Sequence, residues 1–315
     1  MTGVTVILPA YNEGSVFAAS LASLADYFAM HSGAGYDFRY IVVDDGSSDD
    51  TYEAAQTFAR WRTNVRVLRH EANRGLGAAL RTAFQAVETE LAVVLDADLS
   101  YTPTVAMQLI EALEREKADI ALASPYATGG SVVNVPPVRR ILSREANRLL
   151  SLSTGGRYAT ITCMVRAYRA SAIKQLEFQS NGMTATAEML LSGVRKKLHV
   201  IEVPARLQWS DERRASRRGF NLLRLSSQVT TTFLLACRHR PSLWLALPGL
   251  FPGLLPLVVA LLVILRVKPN VLAVGTTATI VVQYTSLALF TGQITTFLGR
   301  RLHQKRNLQS NGVTN

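Results

Sequence analysis

The first two hundred residues alternate between two hydrophobic rhythms. Short apolar runs of strand length, interrupted only at Thr5, Arg66 and Glu202, lie at Val4–Leu8, Tyr40–Val43, Val65–Leu68, Leu91–Leu95, Ile120–Ala123 and Val200–Val203. Between the first five, apolar residues recur at helical spacing over Ser15–Met30, Thr51–Trp61, Leu76–Val87 and Pro103–Glu116. A strand that is apolar at every position is buried on both faces. Such strands, alternating with amphipathic helices, predict an α/β domain with a mainly parallel sheet covered on both sides.

After residue 240 the rhythm changes. Leu243–Leu265 is 23 residues without a charge, and Val271–Leu298 is 28. A bilayer core of about 30 Å needs about 20 apolar residues, so both are long enough to span it; the alternative is a pair of buried core helices. Pro248, Pro252 and Pro256 bend the first span, which membrane helices tolerate. Thr276, Thr277, Gln283, Tyr284 and Gln293 give the second span polar groups for contact with other helices, including those of a homo-oligomer.

The short linker Arg266–Asn270 makes the two spans a hairpin with both outer ends on one side. Those ends carry Arg238, Arg240, Arg300, Arg301, Lys305 and Arg306, against Arg266 and Lys268 in the linker. The positive-inside bias therefore predicts that both termini and the N-terminal domain are cytoplasmic. Residues 1–30 have no basic start followed by an apolar core, so no signal peptide is expected. Residues 217–240 mix Phe220, Leu223, Val229 and Phe233 with Arg217, Arg218 and Arg224, which suits a helix in the headgroup layer or an ordinary solvated linker helix. The expected organisation is an α/β domain over 1–216, a juxtamembrane segment over 217–240, a hairpin over 241–299 and a basic tail over 300–315.

Composition narrows the class. Of 315 residues 48% are hydrophobic and 18% charged, against about 25% charged in ordinary soluble domains, which excludes a disordered chain. Cys163 and Cys237 are too few for a disulfide framework or a cysteine-rich zinc site. The net charge of +11 is carried entirely beyond residue 205, around the apolar stretches. That placement favours anionic lipid or phosphate at a membrane surface over nucleic acid.

In a parallel sheet, ligands bind beyond the carboxyl ends of the strands. Three polar clusters fall there: Pro9-Ala-Tyr-Asn-Glu13, Asp44-Asp-Gly-Ser-Ser48 and Asp96-Ala-Asp98. Asp-Gly-Ser is also a common turn and cap signal, so Asp44 and Asp45 alone leave a structural reading open. Asp96 and Asp98 leave a strand two residues apart, a spacing that lets both carboxylates reach one hard cation; the alternative is a helix cap before Pro103. There is no Gly-x-Gly-x-x-Gly after the first strand and no Gly-Lys-Ser/Thr, so dinucleotide and P-loop readings lose their support. Three clusters on one edge make a site.

In this order the residues resemble the inverting GT-A glycosyltransferases of family 2, and among them the polyprenyl-phosphate glycosyltransferases of the dolichyl-phosphate mannose synthase type. The matching elements are the three clusters together with Asn73-Arg-Gly-Leu-Gly77, Ser100, Gly129-Gly130, Arg139-Arg-Ile-Leu-Ser-Arg144, Glu188, Glu202-Val-Pro204 and Ser216-Arg217, covering about two-thirds of the chain. The resemblance implies that Pro9, Tyr11, Glu13 and Asp45 hold the base and ribose of a nucleotide-sugar. It places Asp96 and Asp98 at the diphosphate, with Mg²⁺ or Mn²⁺ bridging. Ser100 stands where relatives commonly have Gln or His, so a hydroxyl or a water completes the metal shell. Ser124-Pro-Tyr126 replaces Ser-Arg-Tyr, and Cys163-Met-Val-Arg166 replaces Ser-Gly-Phe-Arg. Arg213-Arg-Ala-Ser-Arg217 stands near the membrane in place of an Arg…Gly-x-Ser-Lys element.

The reaction implied is transfer of one hexose from a UDP-sugar or GDP-mannose to a polyprenyl phosphate. Asp98, Arg139, Arg144, Arg213 and Arg217 are the expected catalytic residues, the arginines facing acceptor phosphate and donor diphosphate. Glu188 is open to supporting one of them or to being a helix-surface residue, and Cys163 reads as buried filler. Two other classes stay open: a polysaccharide glycosyltransferase with a sugar-hydroxyl acceptor, and a non-catalytic membrane scaffold that keeps the fold.

Overall fold

The computed structural model describes residues 1–14, 16–32 and 35–211. They belong to the first of two compact units, Met1–Leu235; the second is Ala236–Asn315. Nine strands and seven helices follow one another among the described residues. The first half runs β1 (Thr2–Ala10), α1 (Val16–His31), β2 (Tyr36–Asp44), α2 (Thr51–Ala59), β3 (Val65–Arg69), α3 (Leu76–Gln85), β4 (Leu91–Val94), α4 (Pro103–Arg115) and β5 (Ile120–Ser124). The second half runs β6 (Ser131–Val133), α5 (Pro137–Ser153), β7 (Arg166–Arg169), α6 (Ala170–Ile173), α7 (Thr184–Arg195), β8 (Val200–Pro204) and β9 (Arg206–Gln208).

Seven strands form one sheet in the order β3-β2-β1-β4-β7-β5-β8, and β6 pairs with β9 in a second, two-stranded sheet. Every pairing in the large sheet is parallel except those of β7, which runs antiparallel to β4 and β5. All six apolar runs are strands. Within the large sheet the strand that the hydrophobic pattern conceals is β7, whose Arg-Ala-Tyr-Arg sequence has a charge at each end.

Side chains of a strand alternate between faces, and the core follows that rule. Val4, Val6 and Leu8 of β1 join Phe38, Tyr40 and Val42 of β2 under Phe17, Leu21, Leu24 and Phe28 of α1 and Leu109, Ile110 and Leu113 of α4. Ile7, Ile41 and Val43 point to the other face, where α3 packs on β1 and β2 and α7 packs on α3. Burying a side chain of this size contributes about 1.5–3 kcal/mol relative to exposure. With both faces covered, only the edges of the sheet are open to a ligand.

The site edge is built by register. Ala10 lies opposite Asp44, and the ladder continues one step past the strands: Asp45 N–H donates to Ala10 C=O (2.9 Å) and Leu95 N–H to Ile7 C=O (3.0 Å). The loops after β1 and β2 therefore leave at one level, and β4, with Val94 opposite Ile7, ends three residues earlier on the same side. Among the described residues no helix is long and apolar enough to cross a membrane. The spans expected at 243–265 and 271–298 lie outside those residues.

Candidate active site

The loops after β1 and β2 are laced together by side-chain-to-backbone hydrogen bonds. Asn12, at φ +52°, donates its N–H to Ser47 Oγ (3.0 Å) and accepts from Ser48 N–H at its Oδ1 (2.9 Å). Glu13 and Gly14 donate their N–H groups to Thr51 Oγ1 (2.9 and 3.2 Å), whose own proton goes to Asp49 Oδ1 (2.5 Å). Burial, the largest single influence on Asp49, pushes its carboxyl up, but the Thr51 hydroxyl and the backbone donors together outweigh it and hold the group below the usual carboxylate range. Pro9 is buried at the root of this loop, Tyr11 stands exposed beyond it, and Glu13 is half-buried where the loop returns to Thr51. That is a rigid rim with an aromatic face available to a base.

The two aspartates after β2 divide their work. Buried Asp44 accepts Ser47 N–H (3.3 Å) and lies 3.1 Å from Arg69 Nε. Asp45, also buried, accepts at Oδ1 from His70 Nδ1 (2.6 Å) and Arg74 N–H (3.0 Å), and at Oδ2 from Gly75 N–H (2.7 Å). So Asp45 caps the turn of Asn73-Arg-Gly-Leu-Gly77, and Asn73 and Arg74 stand exposed on the rim. Gly46 is at φ +72°, and a Cβ there would meet the carbonyl carbon of Ala72 at 2.5 Å. The two loops touch backbone to backbone.

After β4 the chain makes a tight turn with Leu99 at φ +49°, closed by Leu99 N–H to Asp96 C=O (3.1 Å). A branched residue in the left-handed region costs about 1–3 kcal/mol and persists only where its surroundings hold it. Asp98 Oδ1 accepts both Ser100 N–H (3.1 Å) and Ser100 Oγ–H (2.7 Å), while Ser100 C=O accepts Gln208 N–H (2.9 Å). Asp96 and Asp98 are half-buried and Ser100 is buried. Two hard oxygen donors on one turn, one oriented by a neighbouring hydroxyl, fit a divalent cation such as Mg²⁺ or Mn²⁺. Among the described residues there is no group of three or more His, Cys, Asp or Glu that could hold a metal, so the remaining ligands of such an ion have to come from elsewhere.

Beneath this turn lie Cys163 and Tyr101, with Cys163 Sγ 3.6 Å from Tyr101 Oη. Burial first, and then the negative charge of Asp96, push the Cys163 thiol up to about 11. It is a buried, protonated thiol. Arg166 of the same stretch is fully buried, donates Nη2 to Ile161 C=O (2.7 Å), and leaves Nε and Nη1 without a hydrogen-bond partner.

The other residues singled out in the sequence fall on separate elements. Arg139 lies in α5 with its guanidinium carbon 5.6 Å from the Trp209 ring centre, and Arg144 is exposed one turn further along. Arg213 and Arg217 lie outside the described residues. Glu188 of α7 accepts Gln179 N–H (2.9 Å), Ser180 N–H (3.0 Å) and Ser180 Oγ–H (2.6 Å). Glu202 of β8 accepts Ala159 and Thr160 N–H (2.9 and 2.8 Å). Both pin loops. His70 and Thr82 were not legible as site residues: only the fold brings His70 Nδ1 to 2.6 Å from Asp45 Oδ1 and its Nε2 to 2.9 Å from Thr82 Oγ1.

The family model for glycosyl transferase family 2 matches residues 5–177, more than half of the chain. A dolichol-phosphate mannosyltransferase of Pyrococcus furiosus is 32% identical over 205 residues, 64% of this chain, which in turn spans only 55% of that protein's length. An undecaprenyl-phosphate mannosyltransferase of Micrococcus luteus is 30% identical over 207 residues, covering 64% of this chain and 82% of its own. Among solved structures, a mannosyltransferase from Pyrobaculum calidifontis in complex with GDP-Man and Mn²⁺ superposes with a TM-score of 0.52 at 17% identity, over 92% of this chain and 84% of its own, which supports the GT-A fold. With its loops after β1, β2 and β4 gathered at one edge of that sheet and the family model matched across all three, the chain belongs to glycosyl transferase family 2.

Proposed function

We propose that this chain transfers a single mannose from GDP-mannose to a polyprenyl phosphate with inversion at the anomeric carbon. The observation that carries the reading is the convergence of the Pro9–Glu13 rim, the Asp45-capped turn and the Asp96–Ser100 turn on one sheet edge. The names of the Pyrococcus and Micrococcus relatives support a polyprenyl-phosphate acceptor and mannose, and the Pyrobaculum complex supports GDP-mannose with a divalent cation.

In this reading Tyr11 stacks on the base and Glu13 faces the ribose. Asp96 and Asp98 hold Mg²⁺ or Mn²⁺, which offsets the charge that develops on the departing diphosphate. Ser100 keeps Asp98 aimed. The acceptor phosphate is already anionic, so the protein has to orient it rather than deprotonate it. Arg139 and Arg144, with Arg213 and Arg217 of the sequence, supply cations for acceptor and donor phosphates. A phosphate acceptor needs no carboxylate to activate it, and Glu188 is engaged with Gln179 and Ser180. The uncharged segments 243–265 and 271–298 anchor the enzyme in the membrane with the catalytic domain on the cytoplasmic side.

The test is direct. Purified full-length chain is incubated with undecaprenyl phosphate, Mg²⁺ or Mn²⁺, and GDP-mannose or UDP-glucose in turn, and the lipid is weighed by mass spectrometry. Mannosyl-phosphoryl-undecaprenol from GDP-mannose alone is expected. Product only from UDP-glucose overturns the donor, and no lipid product from either overturns the acceptor.

A further inference from the structure

We propose that His70 is a positioning residue for the donor site, holding Asp45 in the orientation that shapes the Asn73–Gly77 turn. The inference rests on the donor reading above for its kinetic consequence, but its structural content stands on geometry alone.

His70 follows β3 directly, and its N–H donates to Asp44 C=O (2.9 Å), so the backbone that carries the imidazole is fixed by the sheet. The ring is buried and bridged at both nitrogens. Nδ1 lies 2.6 Å from Asp45 Oδ1 and Nε2 lies 2.9 Å from Thr82 Oγ1 of α3. A carboxylate only accepts, so Nδ1 carries the proton shared with Asp45. The ring therefore ties α3 to the loop after β2, and it sets the rotation of the Asp45 carboxyl.

That rotation matters because both Asp45 oxygens are in use. Oδ1 takes Arg74 N–H beside the imidazole, and Oδ2 takes Gly75 N–H. If the histidine contact is lost, the carboxyl is held only by the two backbone donors it has to orient, and their shared acceptor loses its anchor to the sheet and α3. Gly75 is at φ +91°, where a Cβ would meet Asn181 C=O at 2.4 Å, so the turn is wedged between Asp45 and the Asn181 loop. Released on one side, it no longer presents Asn73 and Arg74 at the rim. Charge-assisted hydrogen bonds of this length are the strong ones, and removing a partner from one costs more than an ordinary contact.

The experiment uses two near-isosteric replacements in the full-length chain. Asn in place of His sets an amide nitrogen where Nδ1 stands and keeps the donor to Asp45. Gln extends to the Nε2 position and keeps only the Thr82 contact. The first readout is hydrogen exchange of the Arg74 and Gly75 amides in nucleotide-free protein. The second is KM and kcat for GDP-mannose with Mn²⁺. The wild type and His70→Asn are expected to protect both amides alike, with KM values within about twofold. His70→Gln is expected to lose that protection and to raise KM about tenfold at nearly unchanged kcat, tenfold being the worth of one such hydrogen bond.

Equal protection of the two amides in Asn and Gln variants overturns the proposal. So does a loss confined to melting temperature, which is what a merely structural histidine gives. A wild type that does not turn over GDP-mannose overturns the donor reading instead, and the exchange pattern alone then decides the positioning role.

Discussion

Ser100 Oγ donates to Asp98 Oδ1 at 2.7 Å, and the same oxygen takes Ser100 N–H at 3.1 Å. One residue thus fixes one carboxylate twice. The remaining oxygen, Oδ2, has its direction set by those two bonds, which is how a neighbouring hydroxyl tunes a metal ligand. Asp98→Ala is expected to abolish transfer, and chelation by EDTA to silence the wild type until Mg²⁺ or Mn²⁺ is restored. Ser100→Ala keeps the backbone bond and loses the hydroxyl, so it is expected to weaken Mn²⁺ activation about 10-fold without abolishing turnover at saturating metal. Titrating activity against Mn²⁺ measures it. Full wild-type activity in chelator sinks the metal assignment.

Gly77 of α3 reverses a common rule. Replacing a helical glycine by alanine ordinarily stabilises a helix by up to about 1 kcal/mol. At Gly77 the added Cβ would stand 2.0 Å from Ser180 C=O and 2.8 Å from Ala185 Cβ, and Gly77 N–H already donates to Asn181 C=O at 2.6 Å. Overpacking of this kind costs about 1–3 kcal/mol, so Gly77→Ala is expected to lower the melting temperature by several degrees. Gly182→Ala, where nothing lies within 4 Å of a Cβ, is expected to leave it unchanged. Equal melting temperatures for the two variants would remove the Ser180–Asn181 contact as the reason for a glycine here.

The site edge was legible because its polar clusters follow apolar runs: Pro9–Glu13, Asp44–Ser48 and Asp96–Asp98 come directly after Val6–Leu8, Tyr40–Val43 and Leu91–Leu95. The same rule hides β7. Its Arg169 gives Nε to Ala118 C=O (2.8 Å) and its Arg166 gives Nη2 to Ile161 C=O, so the charges that disguise the strand are answered by carbonyls distant in sequence or folded back upon it. The β6–β9 pair is three residues a side and carries no periodicity to read. His70 was missed for a related reason. One histidine after a strand carries no information until the fold brings Asp45 and Thr82 to its two nitrogens.

Glu188 separates two acceptor chemistries. Its Oε2 takes two backbone N–H groups and its Oε1 takes the Ser180 hydroxyl, so glutamine keeps the geometry only with its carbonyl on the backbone donors and Ser180 Oγ turned to accept its amide, and it loses the charge that strengthens all three bonds. Glu188→Gln is therefore expected to loosen the Gln179–Asn181 loop and lower the melting temperature, with transfer to polyprenyl phosphate retained within about tenfold. A general base removed by the same change costs about 10²–10⁴-fold in rate. A loss in that range at unchanged melting temperature would assign Glu188 to deprotonation and revive the sugar-hydroxyl acceptor.

Cys163 gives the fold an alkaline limit. Burial and the Asp96 charge lift its thiol to about 11 from the ordinary 9.0, and burial lifts Tyr40 to about 12 from 10.0. Both groups are neutral when protonated, and the folded state holds their protons to higher pH than the unfolded chain does. Between the two pKa values of each group the native state binds more protons, so stability falls as pH rises. For Cys163 that stabilisation is complete below about pH 9 and is lost on the way to 11, on the order of 2 kcal/mol by pH 10.5. Melting temperatures at pH 8.0 and 10.5 for wild type and Cys163→Ala measure it. The alanine variant carries a small cavity at every pH, which shifts both of its values together. The expected outcome is that the wild type loses more stability than the variant between the two pH values, because only the wild type has a thiol to ionise. The residual fall in the variant belongs to the tyrosines. Parallel losses would mean that the Cys163 thiol ionises in the folded protein as readily as in the unfolded chain, and that the layer beneath Asp96 admits water.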